Sequence, residues 1–264
     1  MFNKNSINIQ EISFIHKCFV QNINMLDFKS TGGGGDVYSP EQGELFYSLI
    51  KLIKAKTIVE IGVDWGSTSR YLCAAAVATG GKLYGYDCWG DHGLNKAWHH
   101  GCSAEKVTEM LKENGFTEDN FLMTKVETLE PGFKELIHDR HSESKIDFAF
   151  IDADHSYDGL KSDFEAVYPY MSNTGIIAFH DTLRIDGCRE FVIDWRNNND
   201  GTYDIVEFPF GNLQRRVGIT LLVKRTYPVL GLGCDENCGS PSSFDEIYKK
   251  EQIWFTKELI KGNH

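Results

Sequence analysis

Between residues 57 and 199, short apolar runs alternate with longer stretches of helical periodicity, and no other feature of the chain restricts its fold as tightly. Residues 57–61 (TIVEI), 146–151 (IDFAFI) and 175–179 (GIIAF) are mostly apolar, and 82–87 (KLYGYD) and 121–126 read as strands beside them. That is the pattern of parallel strands covered by helices on both faces. The segments after them predict helices over 67 to about 78, 103–114, 130–141, 158–171 and 187–199. Two further strand-like runs, 203–208 and 217–223, have no helix-length segment between them. The expectation is an α/β fold: a doubly wound, seven-stranded, mostly parallel sheet with one antiparallel strand.

The flanking regions differ in composition. Residues 1–38 are an N-terminal extension closing in a Gly-rich linker (STGGGGD, 30–36), and 39–224 form the ligand-binding domain. Ser39-Pro40 opens a further helix whose apolar face carries Leu45, Phe46, Leu49, Ile50 and Ile53. Residues 225–264 hold a loop (CDENCGSPSS) and an amphipathic helix over 244–260, which packs on the body, covers a site or meets a second subunit in a homo-oligomer.

In doubly wound sheets, ligands sit beyond the carboxyl ends of the strands. The first strand runs into Glu60-Ile61-Gly62-Val63-Asp64-Trp65-Gly66-Ser67-Thr68-Ser69. Gly62 and Gly66 permit a tight turn and close approach of backbone to a ligand. The spacing is neither G-x-G-x-x-G nor a phosphate-cradling P-loop, since position 64 is Asp and no Lys follows Gly66. Glu60 would repel a pyrophosphate and suit a ligand bearing an ammonium or sulfonium group. Asp87, at the tip of the second strand, is placed to accept hydrogen bonds from ribose hydroxyls, with Trp89 next to it available to an adenine face.

The fourth strand runs into Asp152-Ala153-Asp154-His155-Ser156-Tyr157 and the fifth into His180-Asp181-Thr182. Strands one, four and five are neighbours in this topology, so both clusters face one cleft. Oxygen and nitrogen donors on adjacent strand tips suit a divalent cation.

VEIGVDWGSTS, LYGYD and FIDADHSYDGLKSDFEAVYPYMSNTGIIAFHD together resemble the class I S-adenosylmethionine-dependent methyltransferases, over about residues 40–224. The fourth and fifth strand ends resemble the small-molecule O-methyltransferase branch, which includes the catechol, caffeoyl-CoA and macrocin-type enzymes. The resemblance implies a Rossmann-like methyltransferase fold that binds S-adenosylmethionine. Glu60, Gly62 and Gly66 would line the methionine end of that cofactor with Ser69 nearby, Asp87 would hold the ribose, and Asp152 would border it. It also implies a divalent metal, Mg2+ or Mn2+, on Asp152, His180 and Asp181, with His155 as general base. His180 departs from the branch, where the first member of that pair is usually Asp; imidazole favours Mn2+, Fe2+ or Zn2+ over Mg2+. The implied activity is methyl transfer to a small-molecule acceptor, foremost a hydroxyl. The alternatives are a metal-free N- or S-methyltransferase and a non-catalytic adenosyl-binding module.

Composition sets the remaining bounds. With 27 basic and 38 acidic residues, the net charge of −11 disfavours a nucleic-acid partner. No apolar run approaches the ~18 residues of a membrane span. The start, MFNKNSINIQ, does not read as a secretory signal, and the odd set of seven cysteines (18, 73, 88, 102, 188, 234, 238) reads as cytoplasmic thiols. Cys234 and Cys238 alone are closely spaced and lack the further ligands of a zinc site. His92, His99 and His100 read as solvated loop residues.

Overall fold

The computed structural model describes residues 40–90, 101–198, 201–209 and 217–224. The expected N-terminal extension, the loop carrying His92, His99 and His100, and the tail with Cys234, Cys238 and its helix lie outside the described residues.

The elements run α1 (Pro40–Ile53), β1 (Thr57–Ile61), α2 (Ser67–Thr79), β2 (Lys82–Asp87), α3 (Ala104–Glu113), β3 (Phe121–Lys125), α4 (Pro131–His141), β4 (Ile146–Ile151), α5 (Tyr157–Val167), a 3-10 turn (Tyr168–Tyr170), β5 (Met171–Phe179), α6 (Asp186–Asn198), β6 (Tyr203–Phe208) and β7 (Ile219–Lys224). The sheet has seven strands in the order β3-β2-β1-β4-β5-β7-β6, with β7 antiparallel to both of its neighbours and the other ladders parallel. The expected fold class holds.

Two apolar layers hold the sheet, because successive side chains of a strand point to opposite faces. On β4, Phe148 and Phe150 join the layer of α1, α2 and α3, while Ala149 and Ile151 join that of α4, α5 and α6. Phe46 of α1 sits against both phenyl rings, with centroids 5.4 and 4.9 Å away. Ala74, Ala75 and Ala76 of α2 are buried, so small side chains bring that helix close to the sheet. α2 stops at Gly80, which is left-handed (φ 65) and donates its N–H to the Ala76 and Val77 carbonyls.

One expected boundary is corrected. The periodicity of 158–171 predicted helix as far as Met171, yet α5 ends at Val167 and Met171 already belongs to β5. Pro169 has no N–H to continue the ladder. Tyr168–Tyr170 therefore tighten into a 3-10 turn. β5 pairs with β4 at Ile146↔Met171 and again from Phe148↔Ile176, so the residues between them form a bulge. The expected strand, 175–179, is the regular part beyond it. Among the described residues, no helix is long and apolar enough to cross a membrane.

Asp163 of α5 is wholly buried in this packing. Burial pushes its carboxyl up to about 7; the Asp154 and Glu127 charges add to the effect, and Thr128 and Lys134 oppose it. A carboxyl whose pKa rises on folding binds its proton more tightly in the native state. Its contribution to stability is therefore fully present below the unfolded pKa, near ~4, and is lost as the pH rises towards the folded value. Urea denaturation across this window should show stability falling by up to about 1.4 kcal/mol per pH unit from this group. Asp163→Asn should flatten the fall, and an unchanged slope would exclude Asp163 as its source.

Candidate active site

The turn from β1 into α2 is shaped by contact with β4. Gly62 has φ 86, and a Cβ there would lie 2.2 Å from the Asp152 carbonyl oxygen. Only glycine fits this close approach. Gly62 N–H donates to the Tyr86 carbonyl (2.9 Å) and Asp152 N–H to the Ile61 carbonyl (2.7 Å), so the tips of β1, β2 and β4 are laced together. Gly66, left-handed at φ 78, leads into α2 without a side-chain cap.

Asp87 secures the same turn from the β2 side. Its Oδ2 accepts from the backbone N–H groups of Val63 (2.8 Å) and Asp64 (2.9 Å), and its Oδ1 accepts from that of Trp89 (2.7 Å). A carboxylate offers about four lone-pair directions, so the backbone fills all but about one. The expected ribose contact is thus confined to Oδ1. Trp89 corrects the sequence reading. Its indole Nε1 donates to the Asp64 carbonyl at 3.0 Å and its ring is buried, so it braces the turn instead of offering a face to adenine.

Glu60 lies beneath this turn and is 1% exposed. Its Oε2 accepts from the Ser69 hydroxyl at 2.6 Å, while its Oε1 is buried without a hydrogen-bond partner among the described residues. Burial raises the Glu60 carboxyl well above its ordinary value; the Ser69 bond opposes this, and the charges of Asp152 and Asp87 add to it. A buried acid with a free oxygen suits a cationic donor. Ser69, wholly buried, acts on Glu60 and lines no open surface.

The tips of β4 and β5 bring Asp152, His155, His180 and Asp181 together, with one donor atom from each lying within 4.8 Å of the others. Asp152 Oδ1 is 3.0 Å from both His155 Nε2 and His180 Nδ1. Asp181 Oδ2 lies 3.5 Å from His180 Nδ1 and 3.8 Å from His155 Nε2. Burial by itself would raise the Asp152 carboxyl, but the His180 charge and the bonds from both imidazoles outweigh it and hold the carboxyl low. His180 is raised despite its burial, through Asp152 first, and His155 is raised in the same way. The sequence reading set His155 apart from the three metal-site residues; the structure places it among them. Asp154 turns away, accepting the Ser156 N–H at 2.7 Å where α5 begins.

The donor set, two imidazoles and two carboxylates, fits a divalent first-row ion such as Mn2+, Fe2+ or Zn2+. Sequence reasoning missed what holds the His155 loop. α6 presses on it at Gly187, where a Cβ would fall 2.6 Å from both the His155 carbonyl oxygen and the Tyr157 nitrogen. The Cys188 thiol lies 3.6 Å from the same carbonyl. A glycine at the start of a predicted helix was the available signal, and it carries no information about what it touches.

A protein-family model described as a methyltransferase domain matches residues 59–182, the stretch from β1 through the tip of β5. Among curated proteins, the chain is 27% identical over 141 residues to the uncharacterized protein y4gI of Sinorhizobium fredii. That match takes in 51% of this chain but spans only 14% of the relative's length. Among solved structures, the O-methyltransferase of Bacillus cereus in complex with SAH superposes with a TM-score of 0.57 at 17% identity, covering 71% of this chain and 82% of that one. TomG of Streptomyces achromogenes, an O-methyltransferase involved in tomaymycin synthesis and solved with SAM, gives 0.56 at 20% identity, covering 71% and 81%. At these identities the likeness speaks for the fold, while the family match speaks for the segment carrying the glycine turn and both strand-tip clusters. Residues 59–182 of this chain thus match a methyltransferase-domain family, on a fold shared with O-methyltransferases solved with SAH and SAM.

Proposed function

We propose that the protein is an O-methyltransferase that moves a methyl group from S-adenosylmethionine to a hydroxyl of a small-molecule acceptor. The observation that carries this reading is the position of Asp152. Its backbone touches the Gly62 turn while its carboxylate enters the His155–His180–Asp181 group, so cofactor and acceptor chemistry meet at one residue. The net charge of −11 supports a small molecule over a nucleic acid as acceptor.

Glu60 Oε1 and the Gly62 turn would receive the cationic methionine end, and Asp87 Oδ1 a ribose hydroxyl. The bound cofactor supplies an activated methyl on a sulfonium, transferred by in-line displacement. Asp152, His180 and Asp181 would hold a divalent ion, Mn2+ in preference to Mg2+ because of the imidazole, whose charge would lower the pKa of an acceptor hydroxyl beside it. His155 would take the hydroxyl proton at Nδ1, while its Nε2 donates to Asp152 Oδ1 at 3.0 Å, which orients the imidazole and stabilises its protonated form. Holding acceptor oxygen and methyl in line supplies much of the remaining acceleration.

A second reading has its own support. The His155–Asp152 pair is already a base with its orienting carboxylate, which is the arrangement a metal-free transferase needs.

Calorimetry should show S-adenosylhomocysteine binding and no NAD(H) binding, with Asp87→Ala weakening it strongly by releasing the turn as well as the ribose. Binding of NAD(H) alone would replace the transferase with an oxidoreductase. EDTA should abolish turnover yet leave adenosyl affinity intact, with Mg2+ or Mn2+ restoring activity; turnover indifferent to chelation would select the metal-free reading. In an assay of S-adenosylhomocysteine release across candidate acceptors, His155→Ala should lose about 10²–10⁴-fold in turnover with little change in cofactor affinity. Turnover near that of the parent would remove His155 as the base.

A further inference from the structure

The segment around Asp181 is held in an unfavourable backbone conformation by bonds on both sides. Asp181 has φ 56, a left-handed value that few residues with a side chain adopt. On the β4 side, His180 N–H donates to the Ile151 carbonyl at 3.1 Å. On the β7 side, Leu183 N–H donates to the Val217 carbonyl at 3.1 Å, and the Thr220 hydroxyl donates to the Thr182 hydroxyl oxygen at 2.8 Å. Thr182 and Thr220 are both completely buried, and Thr220 stands opposite Phe179, the last residue of β5. Arg184 and Ile185 close the turn by donating to the Asp181 carbonyl, each at 3.0 Å. The carboxylate so presented is 6% exposed, and its Oδ1 is buried with no hydrogen-bond partner among the described residues.

From this geometry we infer that Thr220, on a strand outside the matched family segment, is a positioning residue for Asp181. Its bond to Thr182 keeps the chain left-handed at Asp181 and so aims that carboxylate into the His155–His180–Asp152 group. Strained backbone persists only where its surroundings over-determine it. Without the Thr220 hydroxyl, the β7 side of the bracket keeps only the Leu183–Val217 bond, and Thr182 Oγ is left buried without its donor. Asp181 then relaxes and its carboxylate swings out of the group. The inference rests on the proposal that these side chains hold a divalent ion.

The test is Mn2+ affinity, followed by the loss of the free-ion paramagnetic resonance signal, beside S-adenosylhomocysteine affinity by calorimetry. Thr220→Val keeps the branched shape suited to a strand and removes only the hydroxyl. It should weaken Mn2+ binding about ten-fold or more, the range found when groups supporting a metal ligand are removed. S-adenosylhomocysteine affinity should stay at the parent's value, and Thr220→Ser, which restores the hydroxyl, should recover Mn2+ affinity. If the parent binds Mn2+ and Thr220→Val binds it equally well, the positioning role is overturned and the metal reading stands. If the parent binds no Mn2+, both fall. Should Thr220→Val lose the adenosyl compound as well, Thr182→Val removes the same bond from the other side and decides. Selective loss of Mn2+ there supports the inference, whereas loss of both ligands makes the bond a support of the fold alone and overturns it.

Discussion

The contact between Gly62 and the backbone of Asp152 governs how the site is built. β1 and β4 lie side by side at the centre of the sheet, and their tips diverge into separate loops. At Gly62 those loops touch so closely that a methyl group would overlap the Asp152 carbonyl. The contact fixes the Gly62 turn and Asp152, the proposed cofactor and acceptor sides of the site, relative to each other. The Asp87 carboxylate then locks the far side of the turn through three backbone N–H groups.

The charges follow from that geometry. Four acids, Glu60, Asp87, Asp152 and Asp181, are gathered at the strand tips in an interior where unpaired charge is costly. Each meets the cost differently. Asp87 takes three backbone donors, and Asp152 takes two imidazoles. Glu60 is left with one oxygen unmet and its carboxyl raised by burial, and Asp181 likewise keeps a buried oxygen without a hydrogen-bond partner among the described residues. The two incompletely satisfied acids lie at the two places where the proposed function needs a cation, the methionine end of the cofactor and the divalent ion.

Much of this was legible in the chain because it follows from local rules. Parallel strands buried on both faces must be nearly all apolar, so IDFAFI and TIVEI announced themselves, and the polar residues that end each run marked the edge where ligands bind. Glu60, Asp87, Asp152, His155, His180 and Asp181 were all singled out by that reasoning as polar groups at or beside strand ends. Misreadings arose where a tertiary partner decided the outcome. Trp89 looked available because an aromatic residue after a strand tip has no visible partner in the sequence, yet the Asp64 carbonyl claims its indole. Met171 continued a helical period that Pro169 interrupts.

The sequence by itself determined the strand order's central logic and which residue types stand at the strand tips, since alternation, burial and capping act between near neighbours. Only the tertiary structure decided which of those residues meet. It brought His180 within 3.0 Å of Asp152, set Gly187 against the His155 carbonyl, and joined Thr220 to Thr182 across 38 positions. No periodicity encodes such contacts. They arise when a hairpin strand inserts beside β5 and a helix start packs on a loop, and side chains distant in sequence become the nearest available partners for buried polar groups.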